Sequence, residues 1–207
     1  MWRGLIAVLA AWGLVLHIDG KLDNLSYFTK QSNLSVALCF GWLWLRPWLT
    51  SAPPSRLTAG ARGAVTVYII VTGVVYATVL NGTYSDLKNV LSHAVVPVLV
   101  AVDWFTIGDA RSRLRWWHPL VWLLYPVAYL GFVLIRAQLK SFPSDANRYV
   151  YPFLNLDTHT TGQFIMTMVN FIAGFILLGY ALLACASALD RLRFRVNPAE
   201  DPGKSVN

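Results

Sequence analysis

Six apolar runs, at about 3–18, 34–50, 64–80, 89–107, 118–138 and 162–188, dominate the chain. Each approaches the roughly 20 mostly apolar residues that a helix needs to cross a hydrocarbon core. Spanning strands would alternate apolar and polar residues instead. Stretches such as AVTVYIIVTGVVYATVL and FIAGFILLGYALLACASAL do not alternate, so the runs read as helices. Charge supports the same conclusion. Only 13% of the 207 residues are charged, against about 25% in an ordinary soluble domain. Such a chain cannot cover a water-facing surface, and lipid is the expected solvent for most of it. The expected fold class is therefore all-α: a polytopic integral membrane bundle of six transmembrane helices. Residues 1–190 are expected to form one transmembrane domain, and 191–207 a basic, then disordered, cytoplasmic tail.

The first run has the basic residue and apolar core of a signal peptide. No small-x-small cleavage pattern follows it, because His17, Ile18 and Asp19 stand there. A retained first helix is the expectation. Cys39 and Cys185 both fall inside expected helices and read as small buried hydrophobes.

The formal net charge of +7 invites a nucleic-acid reading, but the distribution of basic residues explains it better. Ends and loops alternate between two sides. One side carries Arg3, Arg46, Arg56, Arg62, the Arg111–Arg115 cluster, Arg191, Arg193, Arg195 and Lys204. The other carries only Lys21, Lys30, Lys88, Arg136, Lys140 and Arg148. The positive-inside rule assigns the richer side, with both termini, to the cytoplasm. The expected partners are the bilayer and its anionic heads, with no nucleic acid. The expected location is the plasma membrane, multi-pass.

This orientation gathers the polar clusters on the outer side. LSYFTKQSNLSVAL (25–38) opens the second helix, NGTYSDLKN precedes the fourth, and RYVYPFLNLDTHTTGQF leads into the sixth. Thr29 has two readings. Ser, Thr and Asn before an apolar run are good helix caps, and Ser26 or Thr29 would serve. But capping needs one such residue and this stretch supplies several, with Asn33 one turn from Thr29 and Ser32 beside it. The second reading is a hydroxyl nucleophile with an amide nearby.

His93 follows Lys88 by five residues, about 7.5 Å along a helix, which is near the headgroup boundary. An ionisable side chain there is costly and usually faces a partner or a cavity. Asn89 shares its face one turn earlier, and Pro97 one turn later frees a carbonyl. The alternative is a histidine that glues two helices together. Asp103, ten residues further on, is expected to pair with the Arg111–Arg115 cluster or with a polar group in the next helix. Asp157 and Asp86 are the carboxylates available to orient His93. The four histidines have no metal-ligand spacing, so no metal and no cofactor is expected. The tryptophans near helix ends read as interfacial belts.

YFTKQSNL, HAVVPVLVAVDW and YVYPFL, in this order on successive segments, resemble the androgen-induced and androgen-dependent membrane hydrolase family, most closely its prokaryotic relatives. The likeness spans roughly residues 1–190. It implies a polytopic threonine hydrolase that cleaves fatty acid esters of hydroxy fatty acids, with Thr29 as nucleophile and His93 as base. In this chain YFTKQSN is more polar than the animal motif, and Asp103 stands where that branch has Glu. The expected activity is lipid-ester hydrolysis at the outer leaflet on an acyl-lipid substrate, with Asn33, Asn89, Ser32 and Asp157 as supporting polar groups. The competing reading is a non-catalytic membrane protein that binds lipid or small molecules, or a transporter. Transporters tend to carry internal repeats and midplane sites, and neither is visible in the sequence.

Overall fold

A computed structural model describes residues 1–17, 25–108, 111–139 and 148–196, with side chains as far as Leu192. Among these residues the regular structure is entirely helical. Six rods follow in chain order: α1 (Trp2–His17), α2 (Phe28–Leu49), α3 (Arg56–Thr78), α4 (Leu87–Thr106), α5 (His118–Leu139) and α6 (Thr161–Val196). Four of them, α3 to α6, are long and apolar enough to cross a membrane. The other two differ from the simple expectation of six equal spans. α1 has only 16 residues. α2 begins at Phe28, six residues before the apolar run, and so includes Lys30, Gln31, Ser32 and Asn33. α6 likewise continues to Val196, into the part of the chain expected to be tail. Residues 197–207 lie outside the described residues.

α3 organises the packing. Its Val65 and Ile69 join Ile6 and Ala10 of α1, Val36 and Phe40 of α2, and Val96 and Val100 of α4 in one apolar core. From other faces of α3, Ala59, Val67 and Tyr68 join Trp104, Trp122, Leu182 and Ala186 in a second. Trp104 and Trp122 are thus core residues, whereas Trp48 and Trp116 are exposed near chain turns. α5 and α6 bury far less of themselves than α3 does, which suits helices whose outer faces meet lipid.

Two prolines shape the rods, each by removing a backbone donor. Pro126 leaves the Trp122 carbonyl without its helical partner, and the Tyr68 hydroxyl of α3 donates to it at 2.7 Å. Pro97 does the same to the His93 carbonyl. Here α4 widens into one π turn over Leu91–Val95, where Val96 N–H donates to Leu91 O five residues back. Such single π turns often lie at functional sites. Gly73 of α3 packs against this turn so tightly that an added Cβ would stand 2.8 Å from His93 O.

One end of the bundle is tied by buried charge. Asp103 is 0% exposed and accepts from Arg62 Nε at 2.9 Å and from Arg3 Nε at 3.1 Å. Arg62, 2% exposed, also donates to the Asp103 and Ile107 carbonyls at 2.7 and 2.8 Å. Asp103 is therefore bound to α1 and α3, not to the Arg111–Arg115 cluster. Arg111 instead pairs with Asp190 at 2.9 Å. Arg62, expected in a loop, lies inside α3 because that helix begins at Arg56.

Candidate active site

At the other end of the bundle the first turn of α2 meets the π turn of α4. Thr29 Oγ1 and His93 Nε2 are 3.3 Å apart, though 64 residues separate them in sequence. His93 is 7% exposed. Its Nδ1 lies 3.2 Å from the Asn89 carbonyl. A carbonyl only accepts, so the hydrogen-bond network assigns the proton to Nδ1 and leaves Nε2 as an acceptor facing the Thr29 hydroxyl. The Tyr76 ring stacks on the imidazole at 3.7 Å and 16°. Tyr76 is itself anchored through its hydroxyl, which donates to Thr83 O at 2.6 Å. His17 completes the enclosure, edge-on to His93 with ring centroids 6.2 Å apart.

The polar surplus of 26–35 has a definite use. Ser32 Oγ and Asn33 Nδ2 donate to the Thr29 carbonyl at 3.0 and 2.9 Å. Ser32 also meets the Thr72 hydroxyl of α3 at 2.8 Å, and Asn33 Nδ2 donates to Ser92 O of the π turn at 3.3 Å. These two buried side chains therefore hold the turn beneath Thr29 to both neighbouring helices. Both Asn33 amide hydrogens are thereby committed. Asn89 contributes to His93 through its main-chain carbonyl. The expectation that a carboxylate orients His93 is replaced by that carbonyl. Asp157 lies in the connector before α6, where it pairs with Arg148, and Asp86 is an exposed residue ahead of α4. His159 bonds within its own turn to Asn155 O at 2.9 Å.

The helix cap differs from the sequence expectation too. Tyr27 occupies the N-cap position and makes no side-chain cap bond. The orphan donors of the first turn go to two distant phenols. Phe28 N–H donates to Tyr129 Oη at 3.1 Å, and Thr29 N–H reaches Tyr151 Oη at 3.5 Å. Neither Ser26 nor Thr29 is the cap. Because Thr29 sits in this first turn, its hydroxyl lies at the positive end of the α2 dipole.

A cavity of about 110 Å³ opens beside Thr29. Its walls come from α2, α3, α5, α6 and the 151–154 turn, and are almost wholly apolar: Val71, Leu123, Met168, Phe171 and Phe175 are among them. Phe28 forms part of the lining and packs edge-on against Tyr129 and Phe175. An apolar cavity lined in part by Thr29, whose hydroxyl faces an acceptor imidazole, fits an apolar ligand carrying one electrophilic carbon.

The seat of His93 depends on Gly73. Alanine is the better helix former by about 0.5–1 kcal/mol, but its methyl would press on a backbone oxygen, and overpacking of that kind costs about 1–3 kcal/mol. Gly73→Ala is therefore expected to lower the melting temperature of the detergent-purified protein. A higher melting temperature would mean the α3–α4 contact is looser than described. Compared with family models, curated proteins and solved structures, the chain matches none.

Proposed function

We propose that this chain is an integral membrane lipid-ester hydrolase of the kind that cleaves fatty acid esters of hydroxy fatty acids, with Thr29 as nucleophile and His93 as base. The observation that carries the reading is the 3.3 Å approach of Thr29 Oγ1 to an acceptor His93 Nε2, with Thr29 itself lining an apolar cavity. A structural glue histidine would need no such cavity, and a helix cap would not leave its hydroxyl facing an imidazole. The resemblance of the YFTKQSNL and HAVVPVLVAVDW segments to the membrane threonine hydrolases points the same way.

In this reading the acyl chain lies in the cavity with its ester carbonyl at Thr29. The Thr29 oxygen attacks the carbonyl carbon while His93 Nε2 takes the hydroxyl proton. The tetrahedral intermediate collapses with cleavage of the bond to the alcohol oxygen, which leaves with that proton. Water then attacks the acyl-threonine ester, again losing a proton to His93. The carboxylic acid departs and the Thr29 hydroxyl is restored. The surplus of Arg at the Asp103 end supports a cytoplasmic position for that end, and in this reading the site opens at the outer leaflet. Substrate enters sideways from the bilayer between the lipid-facing helices.

The test is covalent. An alkyl fluorophosphonate incubated with the purified protein is expected to leave one adduct, mapped by peptide mass spectrometry to Thr29. Labelling of the wild-type chain at another residue, or labelling undiminished in Thr29→Ala, would sink the assignment.

A further inference from the structure

An acyl transfer site needs a donor for the negative charge that develops on the carbonyl oxygen. The amides closest in sequence do not supply one, since Asn33 Nδ2 is committed to two carbonyls and Asn89 meets His93 only through its own carbonyl. Two phenols stand at the first turn of α2, and they are not equivalent. Tyr129 donates its proton to Ser26 O at 2.8 Å while accepting from Phe28 N–H. Tyr151 Oη accepts from Thr29 N–H at 3.5 Å. It is only 9% exposed and lines the same cavity as Thr29. Its ring is fixed between Tyr27, edge-on at 5.8 Å, and Phe153, stacked at 5.1 Å and 8°.

We propose that Tyr151 is a further catalytic residue of this site, whose hydroxyl donates to the oxyanion of the tetrahedral intermediate formed on Thr29. The inference rests on the hydrolase reading above. As Thr29 Oγ1 bonds to the carbonyl carbon, the carbonyl π pair moves onto oxygen. Tyr151 stabilises that charge by a hydrogen bond and keeps its proton. The positive end of α2 acts in the same direction. Burial raises the pKa of the Tyr151 phenol above its ordinary value, which favours the protonated, donating form.

The competing role is purely structural, with Tyr151 capping α2. Tyr151→Phe separates the two. With a long-chain p-nitrophenyl ester, kcat is expected to fall about 10²–10³-fold, as when one oxyanion donor is lost elsewhere, with KM nearly unchanged. An alkyl trifluoromethyl ketone, which forms an anionic hemiketal on Thr29, is expected to lose affinity by about the same factor. The methyl ketone of equal chain length should bind as before. Equal weakening of both ketones, or unchanged kcat, would overturn the proposal. Should Tyr151→Phe fail to fold, fluorotyrosine at position 151 keeps the ring and sharpens the donor. Hemiketal affinity should then rise with phenol acidity, and a flat response would count against the assignment. Thr29→Ala run in parallel tells the two failures apart. If it is inactive while Tyr151→Phe is fully active, only the Tyr151 role falls; if Thr29→Ala keeps wild-type turnover, the hydrolase reading falls with it.

Discussion

In the proposed hydrolase, Thr29→Ala is expected to abolish the acyl-enzyme route, and His93→Ala to slow ester turnover about 10²–10⁴-fold, the usual worth of a positioned general base. The double variant should be no slower than Thr29→Ala alone. The reason is geometric: His93 Nε2 accepts from the Thr29 hydroxyl, so without Thr29 there is neither a nucleophile for it to activate nor an acyl-enzyme for it to help resolve. Groups that act as a unit behave non-additively in this way. Thr29→Ser restores a hydroxyl at the same place and should recover turnover that Thr29→Ala lacks. The measurement is initial rate on an acyl ester, with pre-steady-state release of the alcohol to watch acylation directly. If the single losses multiply in the double variant, the two residues serve different steps and the nucleophile–base pairing is wrong. None of these substitutions touches the Asp103 cluster, about ten residues along α4 from His93 and so roughly 15 Å away, and folded yield should hold.

Asp103→Ala should produce the largest loss of stability, about 3–5 kcal/mol, the cost of breaking a buried ion pair from one side. Asp103 is wholly buried, and its two oxygens take Arg62 and Arg3 from different helices. Removing it takes from the Arg62 guanidinium, 2% exposed, the buried carboxylate that accepts from its Nε. Taking out Arg62 as well, in a double replacement by apolar residues, should recover only part of the loss. A buried pair replaced whole is often nearly neutral, but Arg62 also satisfies the carbonyls of Asp103 and Ile107, and those would be orphaned. Thermal unfolding of each variant in one detergent reads this directly. Wild-type melting in Asp103→Ala would mean that the charges reach water. Turnover per folded molecule should survive, since the Thr29–His93 end is assembled by other contacts.

The two ends of the bundle differ in how far they could be read in advance. Helical class followed from hydropathy, because in lipid a backbone must satisfy its own hydrogen bonds and an unbroken apolar run has few other ways to do so. The polar start of α2 misled that reading about where the helix begins. Those residues are not a loop but a helical turn whose side chains are buried against α3 and α4, and hydropathy is blind to a polar face that is satisfied by protein. Charge alternation put Thr29 and His93 at one end of the bundle, and the side chains do meet there.

What no local pattern contained was the partner list. Tyr129 and Tyr151 reach the start of α2 from 101 and 122 residues away. Nothing marks Tyr129 beforehand among nine tyrosines, and Tyr151 stands out only as part of the YVYPFL segment, which gave it no role. Asp103 and Asp157, both plausible partners for a site, are committed to Arg62 and Arg3 in one case and Arg148 in the other. Membership in the helical class was thus already written in the chain, since apolar length and hydrogen-bond self-sufficiency are properties of single segments. The enclosure of His93 by Tyr76, the close seat of Gly73, the carbonyl in place of a carboxylate and the two phenols at Thr29 came only with the packed fold. Each depends on distance between segments, and distance is set by which faces of several helices bury one another.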